Sequence, residues 1–229
     1  ATGKRMRLDF HVEPRPGAEA RNVAGRVTGT DPELREEIIV IGAHMDHLGA
    51  DARGLVFNGA NDNASGTAVV MELARVLAQD PPRRTVVFAA FAGEEQGLLG
   101  SEAFVERPPV DLSRVVAMIN FDMAGHGNGR VGIGGGEFHR EIMHAFRAAL
   151  DSAAAANLNV ARAWGGEGSD HAPFRRAGIP TCNIWSEGGH PFYHTIEDDA
   201  AWIDSTVVEE VGRMAERWIR TLADWPAPL

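Results

Sequence analysis

Two carboxylates stand side by side at Glu94 and Glu95, inside Ala92-Gly93-Glu94-Glu95-Gln96-Gly97. They follow the apolar run Thr85 to Phe91, which reads as a buried strand. Adjacent residues on an extended backbone point in different directions. One glutamate can therefore grip a metal ion while its neighbour faces a reacting atom. Taken alone, the stretch reads first as an ordinary acidic turn. Its meaning changes because other segments supply metal-capable residues in matching places.

His44 and Asp46 lie two positions apart after the run Ile38 to Ile41. On an extended segment they share a face, so Asp46 can hold the imidazole N–H of His44 and fix its tautomer. A polar loop at a strand end is the plainer reading of that pair alone. His47 is left unassigned, as a pocket residue or an exposed one. Asp62, in Gly59-Ala60-Asn61-Asp62-Asn63-Ala64-Ser65-Gly66, is either a helix-start residue or a carboxylate bridging two cations. The Asn63-Ala64-Ser65 sequon falls at an expected buried helix start and is discounted. Asp122 comes straight after the apolar run Val115 to Phe121, where a buried lone carboxylate would be costly and a cation would satisfy it. Tyr193 and His194 are either a structural pair or a phenol, able to donate to a developing oxyanion, beside a candidate ligand. Ser169-Asp170-His171 lacks a nucleophile elbow and reads as a helix start. His139 and His144 do not fit a two-histidine zinc helix and are assigned to the surface.

The elements that must position these residues alternate between strand and helix. Short strands are expected at Leu8–Val12 and Asn22–Val27, as an antiparallel edge hairpin. Buried strands follow at 38–42, 85–91, 115–121 and 180–185, with shorter ones at 131–133 and 158–163. Helices are expected at 63–79, 98–105 and 206–222, and around Phe138, Ile142, Phe146 and Leu150. Thr206 and Glu209 fit a capping box for the last of these. The pattern implies an α/β three-layer sandwich, a mixed and mostly parallel sheet flanked by helices, over a single domain of 1–229 with edge strands in 1–36. In such sheets ligands bind outside the carboxyl ends of the strands. His44 and Asp46, Glu94 and Glu95, and Asp122 all fall at such ends.

Composition removes several classes. The 229 residues carry a formal net charge of −10, so no basic face is expected to track nucleic acid. The single cysteine, Cys182, excludes an intrachain disulfide and a thiolate zinc site. No apolar stretch is long enough to span a bilayer. The glycines at 132 and 134–136 lack the ending of a phosphate loop.

Taken together, Gly42–Gly49, Gly59–Gly66, Phe91–Ser101, Asn120–Met123, Ser169–His171 and Tyr193–Thr195 resemble the co-catalytic dinuclear-zinc aminopeptidase family. That family includes bacterial aminopeptidase S and leucyl aminopeptidase-like zinc exopeptidases, with glutamate carboxypeptidase and transferrin receptor as distant kin. The segments occur in family order, and the combination is far more specific than any piece. The resemblance implies two zinc ions per chain. One would be held by His44, Asp62 and Asp122, the other by His194, Asp62 and Glu95. Glu94 would be the general base, Asp46 the residue that orients His44, and Tyr193 a transition-state donor. Ser169-Asp170-His171 is given a structural role nearby.

The implied activity is hydrolysis of the N-terminal peptide bond by a dizinc-activated hydroxide, on peptides with a free N-terminus. The three ligand carboxylates and two divalent ions leave one positive charge, which a hydroxide neutralises. Met123, Trp164, Trp185 and Phe192 can line an apolar pocket for a bulky N-terminal side chain, or simply pack in the core. A single-zinc acyltransferase like glutaminyl cyclase is the nearest alternative, and a non-catalytic binding ectodomain of the same shape is another. Relatives of this kind are often exported, so a secreted or periplasmic location is expected.

Overall fold

The computed structural model describes residues 19–134, 158–160 and 167–226, with Arg7 and Gly17. The expected strand Leu8–Val12, the helix around Phe138–Leu150, His139, His144 and Trp164 lie outside the described residues.

The branched apolar runs form the strands that their composition implies. They are β1 (Val23–Val27), β2 (Ile38–His44), β5 (Thr85–Phe91), β6 (Val115–Phe121), β7 (Arg130–Gly134), β8 (Leu158–Val160) and β9 (Thr181–Glu187), with a small separate ribbon of β3 (Gly49–Ala50) and β4 (Val56–Phe57). The main sheet runs in the order β1-β5-β2-β6-β9-β7-β8. Its middle, β5-β2-β6-β9, is parallel throughout. β1 closes one edge antiparallel to β5, and β7 runs antiparallel to β9. The fold is the α/β layered sheet with mixed, mostly parallel strands.

Side chains of a strand alternate between faces, and the core divides accordingly. Ile39 and Ile41 face α1 (Gly66–Gln79) and α4 (Ser205–Ala223). Ile38 and Val40 belong to the opposite layer, with Phe104 of α2 (Leu99–Glu106) and Phe174 of α3 (His171–Arg176). On α4, Val207, Val211, Met214, Trp218 and Leu222 are buried at helical spacing, as the stripe implies. Each large apolar side chain so buried contributes about 1.5–3 kcal/mol.

Two helix starts differ from expectation. The capping box is not used at α4: the Asp204 carboxylate accepts from Thr206 N at 2.9 Å, and Glu209 bonds Arg213 instead. α1 begins at Gly66 rather than Asn63, after a wide turn, Ala60–Ser65, that contains the cis peptide Asp62–Asn63. Asn61, Asn63 and Ser65 of that turn bond to the segment 121–125. Gly66 then presses so close to Phe121 O and Asn63 that a Cβ would collide with both.

Candidate metal centre

β2 ends at His44, and its imidazole is almost wholly buried. Its Nδ1–H donates to the backbone carbonyl of Asp46 at 3.1 Å, which leaves Nε2 facing inward. The expected carboxylate contact is replaced, since Asp46 Oδ1 stands 3.8 Å from Nδ1. The chain has left the strand by residue 46, and there the Asp46 carbonyl, rather than its carboxylate, takes the imidazole N–H. The Asp46 carboxylate instead accepts from Glu94 N at 3.1 Å and Glu95 N at 3.4 Å. It thereby positions the two glutamates at the end of β5.

Asp62 sits between two groups of donors. Its Oδ1 lies 3.3 Å from His44 Nε2, and His44 Nε2 is 3.5 Å from Asp122 Oδ1. Its Oδ2 lies 3.2 Å from His194 Nε2, which is also 3.2 Å from Glu95 Oε2. The five residues given as ligands by the resemblance thus converge, although they come from distant segments. His47, unassigned from sequence, joins them: Nδ1 stands 2.8 Å from Glu95 Oε1. His47 lies in the loop beyond β2, where no periodic pattern marks it.

The neighbours of the donors fix their positions. Asn63 Nδ2 donates to Phe121 O at 2.8 Å, and its Oδ1 accepts from Met123 N at 3.1 Å. Ser65 Oγ accepts from Ala124 N, and Asn61 Oδ1 from Gly125 N. The Asp62 turn is therefore stitched to the segment that carries Asp122. Asp122 is held in turn by Ser169, whose hydroxyl donates to Oδ2 at 2.7 Å and accepts from Asn120 Nδ2 at 2.8 Å. Ser169 is thus a support for Asp122 rather than a helix cap. Asp170 precedes α3 but makes no side-chain cap.

So many carboxylates in a buried space distort one another's protonation. Burial works against a charged His44, yet Asp122 and Asp62 outweigh it and push its pKa up to about 12. Burial likewise works to raise Asp122, but the bonds from His44 and Ser169 hold it below the ordinary carboxylate range. Burial lifts Glu94 to about 8, with His44 opposing. Glu95 is raised by burial and then by Asp62. Burial and the surrounding carboxylates raise Tyr193 to about 12, so its hydroxyl is a donor at neutral pH. Its ring stacks on His194 at 3.8 Å between centroids.

A cavity of about 570 Å³ opens over these groups, bounded among others by Glu94, Asp122, Met123, Trp185, His190 and Tyr193. On β9, Asn183, Trp185 and Glu187 alternate onto the cavity side, while Cys182 and Ile184 enter the core. Trp185 lies flat across Gly132, its cross-strand partner, where a Cβ would fall among the indole atoms. Phe192 is not part of this wall; it packs on Trp202 at 4.3 Å between ring centroids.

The donor set fits divalent cations. The oxygens and ring nitrogens of His44, Asp62 and Asp122 lie within 4.8 Å of one another, as do those of His47, Asp62 and Glu95. Both ring nitrogens of His47 and Glu95 Oε1 are buried without an aligned hydrogen bond. Such groups are costly in a dry site unless something satisfies them. Hard oxygen donors with imidazole nitrogen suit a metal of the zinc type.

The chain is similar to several known proteins. Aminopeptidase YwaD of Bacillus subtilis (strain 168) is 33% identical over 187 residues, covering 77% of this chain and 39% of YwaD. The structure of BSAP, a zinc aminopeptidase from Bacillus subtilis, superposes with a TM-score of 0.75 at 28% identity, covering 90% of this chain and 51% of BSAP. A glutaminyl cyclase of Bacteroides thetaiotaomicron superposes with a TM-score of 0.73 at 25% identity, covering 87% of this chain and 76% of the cyclase. The chain thus spans about half or less of the length of the first two. Residues 22–219 match the family described as Peptidase family M28. With His44, Glu95 and Asp122 at the ends of β2, β5 and β6, and Asp62 and His194 on loops beside them, the chain belongs to peptidase family M28.

Proposed function

We propose that this chain is a zinc-dependent aminopeptidase that removes the first residue from peptides with a free N-terminus. One observation carries the reading: the two oxygens of Asp62 face two separate donor sets, His44 with Asp122 and His194 with Glu95. A carboxylate so placed suits a pair of cations that share it. His44, Asp62 and Asp122 would hold one zinc; Asp62, Glu95 and His194 would hold the other, with His47 against Glu95. Zinc bound there would supply Lewis acidity, polarising the scissile carbonyl and making a nearby water more acidic.

The protein's own residues do the rest. Glu94 lines the cavity beside Asp122 and is fixed at its backbone by Asp46. It takes a proton from the attacking water as oxygen bonds to the carbonyl carbon, then gives it to the departing amine as the C–N bond breaks. Tyr193 O–H donates to the carbonyl oxygen as charge collects there. Met123 and Trp185 offer an apolar wall, so a bulky N-terminal side chain is the preferred one.

The test is zinc content together with turnover. Two zinc ions per chain and hydrolysis of leucine 4-nitroanilide, but not of its N-acetyl derivative, are expected. One zinc, with cyclisation of glutaminyl amides and no hydrolysis, would replace this reading with the acyltransferase.

A further inference from the structure

Asp198 lies four residues beyond His194 and is buried, with 3% exposure. Its carboxylate accepts from two consecutive backbone N–H groups, Asn61 N at 2.9 Å on Oδ1 and Asp62 N at 3.0 Å on Oδ2. Its own carbonyl accepts from Ala60 N at 3.1 Å. Three successive amides of the Asp62 turn therefore end on one residue, across a separation of 136–137 positions for the side-chain bonds.

The segment that reaches across is short and closed on itself. Thr195 N donates to Phe192 O at 3.0 Å and Asp198 N to Thr195 O at 3.3 Å. His194, inside it, adopts a left-handed φ of 57°, which aims the imidazole back at Asp62. Asp62 is thus held twice by the same loop, at its carboxylate by His194 and at its amide by Asp198. Asn61 ties the arrangement further, since its Nδ2 donates to His190 Nδ1 at 3.0 Å. Among the described residues, no lysine, arginine or histidine forms an ion pair with Asp198. The two backbone N–H groups satisfy a carboxylate whose burial would otherwise be costly.

We infer that Asp198 is a positioning residue for the metal pair, setting the backbone of the shared ligand Asp62 and coupling it to the loop that carries His194. The inference rests on the metal reading above. Groups that orient a ligand without touching the ion change affinity by about 10–100-fold when altered. Asp198→Asn keeps the size but turns an amide donor toward a backbone N–H. Asp198→Ser removes the charge and shortens the reach. Asp198→Glu keeps a two-oxygen acceptor on a longer stem.

Zinc affinity is measured by competition with a chelating dye, alongside the Tm of each metal-free protein and kcat and KM on leucine 4-nitroanilide. Asp198→Asn is expected to weaken zinc binding about 10–100-fold at one or both sites, with the metal-free Tm changed by only a few degrees. Asp198→Glu should recover part of that affinity, and kcat at limiting zinc should fall more than KM rises. Should the Asn variant not fold, the Ser variant carries the same expectation. Zinc affinity within twofold of wild type, in whichever variant folds, overturns the inference. So does a metal-free Tm that falls by as much as the zinc-loaded Tm, since that marks a purely structural residue. Wild-type protein that takes up no zinc would instead refute the metal reading itself.

Discussion

Replacing Glu94 by glutamine separates proton transfer from metal binding. The backbone amide of residue 94 is held by Asp46, and a side-chain change leaves that bond in place. None of His44, Asp62, Glu95, Asp122 or His194 is altered, and glutamine has the shape of glutamate. What disappears is the ability to accept a proton and hand it on. General acid–base catalysis by a positioned group is worth about 10²–10⁴ in rate. At about 1.36 kcal/mol per decade, the barrier should rise by about 3–5.5 kcal/mol. Zinc stoichiometry should remain that of wild type, and KM should change little. Glu94→Asp keeps the carboxylate but draws it back by one methylene, and a displacement of about 1 Å can cost about 10²-fold. Initial rates on leucine 4-nitroanilide, with zinc measured on the same samples, decide the matter. A glutamine variant with full zinc and more than about a tenth of the wild-type kcat would refute the assignment of Glu94 as base.

Three further outcomes are expected. Gly132→Ala should push the Trp185 indole into the cavity, lowering the ratio of kcat/KM for leucyl over alanyl amides by about tenfold, the scale of a methylene or so of pocket space. An unchanged ratio would show that Trp185 is not part of the side-chain pocket. Arg84 is fully buried, bonding Glu37 at 2.7 Å and the carbonyls of Leu222 and Trp225 at 3.2 and 2.7 Å; Arg84→Met should therefore cost about 3 kcal/mol, or roughly 6–12 °C in Tm by calorimetry. Chelation should lower Tm while leaving the far-UV circular dichroism unchanged, because the two apolar core layers are built apart from the donor cluster; loss of the helical signal on chelation would contradict that separation.

Much of this was readable in the sequence for one physical reason. A strand covered on both faces has to be a nearly unbroken apolar run, so the polar residue that ends it stands out. His44 and Asp122 are of that kind, and Glu94 and Glu95 follow the end of β5 at Phe91. The interruptions were harder to read. Asn63 looks like a helix-start residue, yet its side chain is spent on Phe121 and Met123, and the helix waits until Gly66. The strand ends before Asp46, so the Asp46 backbone carbonyl rather than its carboxylate takes the His44 N–H. His47 and Asp198 carry no periodicity, since each belongs to a loop whose path is set by contacts far away in sequence. Phe192, apolar and next to Tyr193, found a partner in Trp202 that no local pattern announces.

The residues that supply donor atoms and those that hold them differ in kind. His44, Asp62, Glu95, Asp122 and His194 point into a common centre. Asn61, Asn63, Ser65, Asp46 and Asp198 point away from it, and each accepts from a backbone N–H of another segment. A backbone amide has no side-chain identity, so such bonds survive wide changes in the partner segment's sequence while fixing its path. Each of them also spans at least 48 residues, so each joins segments that are distant along the chain. Two kinds of contact therefore serve the centre: the apolar layers bring the strand ends together, and the amide clamps set the loops at a spacing that a cation can use. The acids gathered there raise one another's cost of ionisation, and a cation held among them would balance the charge.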